Sequence, residues 1–559
     1  MNLLRQSVDV NLNTYENEFL KLLQHFKSSK YYEEQQQWFV KINQKRFAFE
    51  SALNESRLNH FRDLNQAHLK DRYIEFSTFE PRYQKLVSAY YQTILSAKYK
   101  EKLEQQYGKQ LFKLAEIKQA TYSSEVKNEL EKENQLTLEF NQLRANAKMT
   151  VQNEIVNLST ITPFLSDKSR EIRKQSHFAK SKFHQENEEK FDQILDDLVK
   201  TRHSIATKLG YSSFIELGYH RMNRTSHNHQ DLKKYRQQVR TYGVPFISKL
   251  KKMQRDRIGV AELKFFDEPY MFPNGMPTPR GTKEEIQSNL VKMFTELSPQ
   301  TSEFFSYMKD KELIDSESRE NKLGGNYATF IGEDTAPYIF TNLYGTSNDI
   351  RVFAHEAGHA FQFYMSRHWG IPEYLVPYDS CEIFSFAMER FTWPWMELFF
   401  GEDTTLYKFS HLTNAFMFMP VASVIDEFEH YLYENPTASS LDRKAKWRQL
   451  EQEYLPERDY DHNEFLESGT GFYDIAHLFL SPFYFMDYDL AHFCSVQLWE
   501  RAQTQPQEAW DSFLEMCRHG GHHSFNEHIK AANLYSPFED GSVKRLLKSV
   551  ENWIAKQVF

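Results

Sequence analysis

Apolar residues recur every three to four positions along most of the chain, the repeat that gives a helix one buried face. Leu12, Tyr15, Phe19, Leu22, Leu23 and Phe26 trace one such stripe. Thr78 followed by Pro81 predicts a fresh helix start, with Tyr83, Leu86, Val87, Tyr90 and Ile94 on its apolar face. Residues 10–110 thus read as successive amphipathic helices and 123–147 as a charged one. The aromatic stripes predict core and helix contacts, not a cofactor box. At 149–158 the pattern changes: Val151, Ile155 and Val156 alternate around Gln152-Asn153, which predicts a short hairpin. Thr162-Pro163 breaks the chain, and helical spacing returns from Ser166 to about residue 260. Pro269, Pro273, Asn274-Gly275, Pro277 and Pro279 predict an irregular loop over 266–278.

A period of two follows Gly324-Gly325, where Tyr327, Thr329 and Ile331 alternate. Pro337 to Tyr344 is a second β-prone run, closed by Gly345. We expect 337–343 to be an edge strand offering Tyr338, Phe340 and Asn342 to an extended peptide. Thr346-Ser347-Asn348-Asp349 then predicts a helix N-cap with Asp349 in the first turn. Only 19 glycines and 18 prolines occur in 559 residues, which favours long helices. The expected architecture is mainly α and two-lobed, with a deep central channel and a small β-element beside the helix at 346–365. A soft boundary at 145–170 separates a helical region, 1–160, from a catalytic domain, 161–559, that ends in a C-terminal helical lobe.

Charge and cysteine content narrow the function. The net charge of −9 gives no basic face for nucleic acid. The run Lys249 to Arg257 reads as one solvated helix face. The first nine residues lack the apolar core of a secretory signal, and no apolar run approaches the ~20 residues of a membrane span. Cys381, Cys494 and Cys517 make no disulfide framework, so a reducing, cytoplasmic setting is expected.

One stretch has chemistry that helix geometry explains. In His355-Glu356-Ala-Gly-His359 the histidines are i and i+4, so both imidazoles reach one metal ion. Glu356 projects about 100° around the helix from His355, beside the ion, where it can take a proton from water. The composition makes His-[Asp/Glu]-x-x-His expected by chance only about 0.1 times in this chain. A catalytic zinc needs a third ligand. Glu382 sits on a buried helix with Ile383, Phe384, Phe386 and Ala387, 27 residues after His355, and an acid placed there needs a partner. Glu389, seven residues further, is expected to accept the N–H of a ligand histidine from outside the metal shell. Asp349 is expected in that outer shell too.

The segment from Gly345 to Gln362, with Glu382-Ile-Phe-Ser385 and Glu389, resembles the thimet oligopeptidase and oligoendopeptidase F family of zinc metallopeptidases, and the oligoendopeptidase F branch most. The resemblance continues in His477 to Tyr488, Gly520-Gly521, Ser524-Phe525, Asn533 to Gly541, Lys208 to Tyr211 and Tyr219 to Arg224. It implies one zinc ion held by His355, His359 and Glu382, with Glu356 as general base. It also implies that His477, Tyr484 and Tyr488 face the metal and donate to the scissile carbonyl. Substrates would be short peptides in the channel. The loop Glu467 to Tyr473 departs from the family's more basic, Trp-containing pattern, which bears on substrate preference. An exopeptidase with the same ligands, or a peptide-binding protein without activity, is the alternative. His519-Gly-Gly-His-His523 has turn spacing with no completing acid or thiol, so a surface turn is expected there rather than a second metal site. Cys381, His430 and His492 read as interior packing residues.

Overall fold

The computed structural model describes residues 10–557, other than Glu333, Gly345 and the side chain of Ser347. The turn expected at Gly345 and the N-terminal nine residues lie outside the described residues. Helices dominate, as the 3.6-residue spacing predicts. The N-terminal lobe opens with Leu12–Ser28, Tyr32–Arg62 and Ala67–Leu95. Their aromatic stripes meet in one core: Tyr15, Phe19, Phe39, Phe49, Tyr83 and Tyr90 are buried together. The helix start expected at Thr78 and Pro81 does not occur. Pro81 lies inside Ala67–Leu95, and the buried face formed by Phe76, Phe79, Tyr83 and Leu86 carries the helix across it. Packing of an apolar face outweighs the one lost hydrogen bond.

The hairpin is present: β1 (Met149–Val151) pairs with β2 (Glu154–Val156), and Gln152 and Asn153 both take positive φ, as a tight two-residue turn requires. The second sheet sits beside the helix that carries His355, Glu356 and His359. It contains β3 (Ile314–Glu317), β4 (Tyr327–Ile331) and β5 (Ala336–Leu343) in the order β3-β5-β4. β5 runs parallel to β3 and antiparallel to β4, with Tyr327 opposite Phe340 and Ile331 opposite Ala336. This corrects the expected edge strand. β5 is central, so its backbone is already paired on both sides, and Tyr338, Phe340 and Asn342 are all buried. Asn342 Nδ2 donates to the carbonyls of Leu323 and Gly325, pinning the segment that leads into β4. The edges of the sheet are β3 and β4, and Asn54 Nδ2 donates to the Phe330 carbonyl at the end of β4.

A larger core joins the sheet to the C-terminal helices, among them Thr404–Glu434, Phe485–Ala502 and Pro506–His519. The lobes are tied through the segment that follows the metal-binding helix. Ile371 and Tyr374 belong to the N-terminal core. Glu373 is gripped in a fork by buried Arg46, at 2.5 and 3.1 Å, and by the Tyr91 hydroxyl at 2.5 Å.

Candidate metal centre and active site

The helix Ser347–Ser366 holds His355, Glu356 and His359. Its start is capped as the Thr346–Asp349 pattern predicts. Asp349 Oδ2 accepts from the Tyr344 and Thr346 amides at 2.5 and 3.1 Å, and Asp349 Oδ1 accepts from the Thr346 hydroxyl at 2.8 Å. Asp349, expected just outside the metal shell, thus serves the helix N-terminus, where four amides otherwise lack partners.

The helix Cys381–Phe391 packs antiparallel to it and is buried along its whole length. The two backbones touch at Gly358. A Cβ there would lie 2.6 Å from the Phe384 carbonyl oxygen and 2.7 Å from Ser385 Cα. Only glycine permits this approach, and the approach brings Glu382 to the histidines. His355 Nε2 and His359 Nε2 converge on Glu382 Oε2, at 3.2 and 3.5 Å. One ligating atom from each of the three residues falls within 4.8 Å of the others. The Ser385 hydroxyl donates to the same Glu382 oxygen at 2.9 Å.

Behind His355 a relay of hydrogen bonds leads away from the ligands. Trp393 Nε1 donates to His411 Nδ1 at 2.9 Å. An indole N–H only donates, so His411 Nδ1 must accept, and its proton sits on Nε2. That Nε2 lies 2.5 Å from Glu389 Oε2 and donates to it. Glu389 Oε1 takes the His355 Nδ1 proton at 2.7 Å and also faces Arg351 Nη1 at 3.3 Å. With the Nδ1 proton held by Glu389, Nε2 is the nitrogen that gives up its proton when the ring ligates, which leaves the tautomer a metal ligand needs.

Electrostatics point the same way. Burial disfavours a charged His355, but Glu382 and Glu389 override it and raise the imidazole to about 10. Burial would raise Glu382, yet His359 and His355 hold it well below the carboxylate range. Two ionised carboxylates thus favour positive charge at His355, held as a ring proton that a metal ion at Nε2 would displace. Glu356 differs. It is buried, and desolvation raises its pKa against the pull of His355 and His359; it also accepts the Ala328 amide of β4.

The facing segment comes from 477–488. His477 sits on Ala476–Leu480, Tyr484 caps Phe485–Ala502, and Tyr488 lies in that helix's first turn. The three rings cluster, with centroids 5.1 to 6.1 Å apart. The Tyr484 hydroxyl donates to Glu382 Oε1 at 3.0 Å, linking the cluster to the ligand set. Burial keeps His477 below its usual pKa, hence neutral. Cys381 Sγ rests 3.8 Å from the Tyr484 hydroxyl, with its thiol pushed well up by burial. His430 and His492 are interior: His430 Nδ1 meets the Asp426 carbonyl at 2.6 Å, and His492 stacks on Phe386 at 3.7 Å.

Sequence reasoning missed Arg351, His411 and Trp393, and two arginines that hold the facing segment. Arg202 Nη2 donates to the Phe479 carbonyl at 2.5 Å. Arg224 Nη2 donates to the Phe483 carbonyl at 2.5 Å and to Asp487 Oδ1 at 2.6 Å. Phe483 is held at φ +70°, strained for a bulky residue, just before Tyr484. Arg351 had a signal, since it continues the i, i+4 row of His355 and His359.

Residues 164–546 match Peptidase family M3, and residues 6–122 match the Peptidase M3 N-terminal domain. Among solved structures, PZ peptidase A in complex with an inhibitor is 43% identical, with 98% of each chain covered and a TM-score of 0.91. A structure provisionally described as oligoendopeptidase F is 42% identical over 98% of this chain and 97% of that one, with a TM-score of 0.90. A Bacillus anthracis str. Ames protein under the same provisional description is 43% identical over 98% and 97%, with a TM-score of 0.86. No curated protein matches. With one family spanning 164–546 and a helical two-lobed fold shared along nearly the whole chain, the protein belongs to peptidase family M3 and is a metallo-oligopeptidase of the oligoendopeptidase F kind.

Proposed function

We propose that this peptidase is a zinc-dependent endopeptidase that cuts internal bonds of short peptides. The observation behind this reading is the convergence of His355 Nε2 and His359 Nε2 on one oxygen of Glu382, with Glu356 buried beside them. Two imidazoles and one carboxylate suit zinc, and the ionised Glu382 supplies the charge that a divalent ion requires. His355, His359 and Glu382 would hold the ion. The chemistry a bound zinc supplies is Lewis acidity toward water and toward the peptide carbonyl.

The chain's own residues do the rest. Glu356 takes the proton of the attacking water and returns it to the leaving nitrogen. Its desolvated carboxylate, with a pKa above the ordinary glutamate value, suits both transfers. Glu389 fixes the His355 ring through Nδ1, and the neutral His411 behind it keeps Glu389 an acceptor. Tyr484, Tyr488 and the neutral His477 donate to the oxyanion as the carbonyl becomes tetrahedral. Peptide backbone adds to the β4 edge, not to β5, since β4 lies at the margin of the sheet and its Ala328 amide already faces Glu356. Such pairing reads main chain and tolerates varied side chains. We place the enzyme in the cytoplasm, because Cys381, Cys494 and Cys517 are buried free thiols. No helix among the described residues is long and apolar enough to cross a membrane.

The test is a quenched peptide blocked at both ends, assayed with zinc-loaded and chelator-stripped protein. Internal cleavage that needs zinc is expected. An enzyme that cuts only peptides with a free terminus is an exopeptidase, and the endopeptidase reading fails.

A further inference from the structure

The histidines at 519–523 form a cluster that the peptidase site does not use. Helix Pro506–His519 ends in a short turn, Gly520–His522, and this turn folds His519, His522 and His523 together. One nitrogen from each ring lies within 4.8 Å of the others. The turn can be this tight because Gly520 and Gly521 press on the 366–374 backbone. A Cβ on Gly520 would lie 2.5 Å from the Tyr374 carbonyl oxygen, and one on Gly521 would collide with that of Glu373.

Two observations mark the cluster as a ligand set. The Nδ1 atoms of His519, His522 and His523 are all buried without a hydrogen-bond partner. A buried polar atom left unmatched is costly, and three in one place call for a common partner. The second observation is Glu515, one helical turn before His519, whose Oε1 lies 2.9 Å from His519 Nε2. An ionised carboxylate only accepts, so His519 carries its proton on Nε2 and leaves Nδ1 bare. Glu389 treats His355 in the same way in the peptidase site, with the two ring nitrogens exchanged. The sequence pattern hid this acid, which lies on the helix before the turn.

We infer that His519, His522 and His523 form a second binding site for a divalent transition-metal ion, separate from the peptidase centre and of structural purpose. Imidazole ligands suit zinc, nickel or copper rather than magnesium or calcium. Tetrahedral zinc at about 2.1 Å from each nitrogen sets ligand nitrogens roughly 3.4 Å apart; His519 and His523 stack at 3.7 Å with their planes 13° apart, so one of the two rings must turn out of the stack for both lone pairs to meet the ion.

The location gives the ion its role. His522 stacks on Trp369 at 4.2 Å and meets the edge of Tyr374 at 5.3 Å. Trp369 Nε1 donates to the Arg518 carbonyl, and the Tyr374 hydroxyl donates to that of Tyr107 in the N-terminal lobe. Gly108 leaves just enough room for the His522 ring. An ion here clamps the C-terminal lobe, the segment after the metal-binding helix and the N-terminal lobe at one point.

The test is a Zn²⁺ titration of the full chain after chelator stripping, with bound zinc counted by mass spectrometry and Tm followed in parallel. Wild type is expected to bind two equivalents. The double variant His355→Ala/His359→Ala is expected to keep one, together with a zinc-dependent rise in Tm. The variant His519→Ala/His523→Ala is expected to keep one and to cleave peptide as wild type does. Glu515→Gln is expected to weaken the second equivalent by about tenfold. A single equivalent in wild type, or none in His355→Ala/His359→Ala, overturns the proposal. That variant leaves the cluster intact, so it decides the matter even if His519→Ala/His523→Ala does not fold.

Discussion

The ligand side of the cleft and the side that faces it are built by different means. On the ligand side, two helices touch at Gly358, and the contacts among Arg351, His355, Glu382 and Glu389 span at most 38 residues of sequence. Each polar side chain there answers another side chain. On the facing side, 477–488 is held by its own main-chain carbonyls. Arg202 and Arg224 grasp those of Leu478, Phe479 and Phe483 from 259 to 277 residues upstream. A local arrangement of side chains specifies the metal site. A distant grip on backbone leaves the facing segment free to vary its side chains while the strained Phe483 keeps Tyr484 aimed. The two sides should therefore fail in different ways when mutated.

The largest expected effect comes from the ligand side. Glu356→Gln keeps the shape of the side chain and removes the base. Peptide cleavage should fall roughly 10²–10⁴-fold, the usual contribution of a positioned base, with zinc content unchanged by metal analysis. Activity within tenfold of wild type would remove Glu356 from that role. Next comes the facing side. Arg224 and Asp487 form a fully buried pair, and Asp487 helps keep the guanidinium charged despite its burial. Burial already raises the Asp487 carboxyl to about 7 beside Arg224, so Arg224→Met leaves it protonated and releases the Phe483 carbonyl, at a cost of about 1–3 kcal/mol in denaturant unfolding. In the folded fraction kcat should drop while zinc stays bound. Loss of zinc together with activity would show that the two sides are not separable.

That contrast also explains what could be read from the sequence. His355, His359 and Glu382 were legible because i, i+4 spacing and an acid on an all-apolar helix are local signals with one chemical meaning. β5 was misjudged as an edge although its run Tyr338-Ile-Phe-Thr barely alternates. A strand buried on both faces reads this way, and the alternating β4 was the better candidate. Pro81 misled because helix propensity is a weak prior beside a packed aromatic face. His411 and Arg202 left no local signal at all, and Arg224 none beyond closing the Tyr219–Arg224 stretch that resembles the family. Each acts across the fold on a partner whose position only the tertiary structure sets.

The tyrosines sit where the two sides meet, and they sharpen the comparison. Tyr484 donates to Glu382, so Tyr484→Phe should both slow turnover and weaken zinc, the latter within the 10–100-fold range for a lost ligand-orienting hydrogen bond. Tyr488 lies behind it, T-shaped to its ring at 5.1 Å. Tyr488→Phe should leave zinc affinity alone and lower kcat by up to roughly 10²-fold, more than any rise in KM. Competition with a chromophoric chelator and steady-state kinetics separate the two outcomes. Equal zinc affinity in both variants would mean that Tyr484 does not brace the ligand.

The smallest expected effect tests the far end of the relay behind His355. Trp393 contributes one N–H, which sets the His411 tautomer together with the ionised Glu389 on the other ring nitrogen. In Trp393→Phe, Glu389 still holds the His411 proton on Nε2, but Nδ1 loses its donor and is left a buried, unmatched acceptor. The ring is then less firmly oriented, its hydrogen bond to Glu389 weakens, and the hold of Glu389 on His355 loosens. Zinc affinity should fall about tenfold, the low end for an outer hydrogen bond, because Arg351 and His355 still occupy Glu389. At saturating zinc kcat should return to the wild-type value, because nothing in the relay touches Glu356 or the tyrosines. A kcat that stays low at saturating zinc would mean that the relay acts on more than the ligand, and the division between a locally built metal site and a remotely held facing segment would have to be redrawn through Glu389.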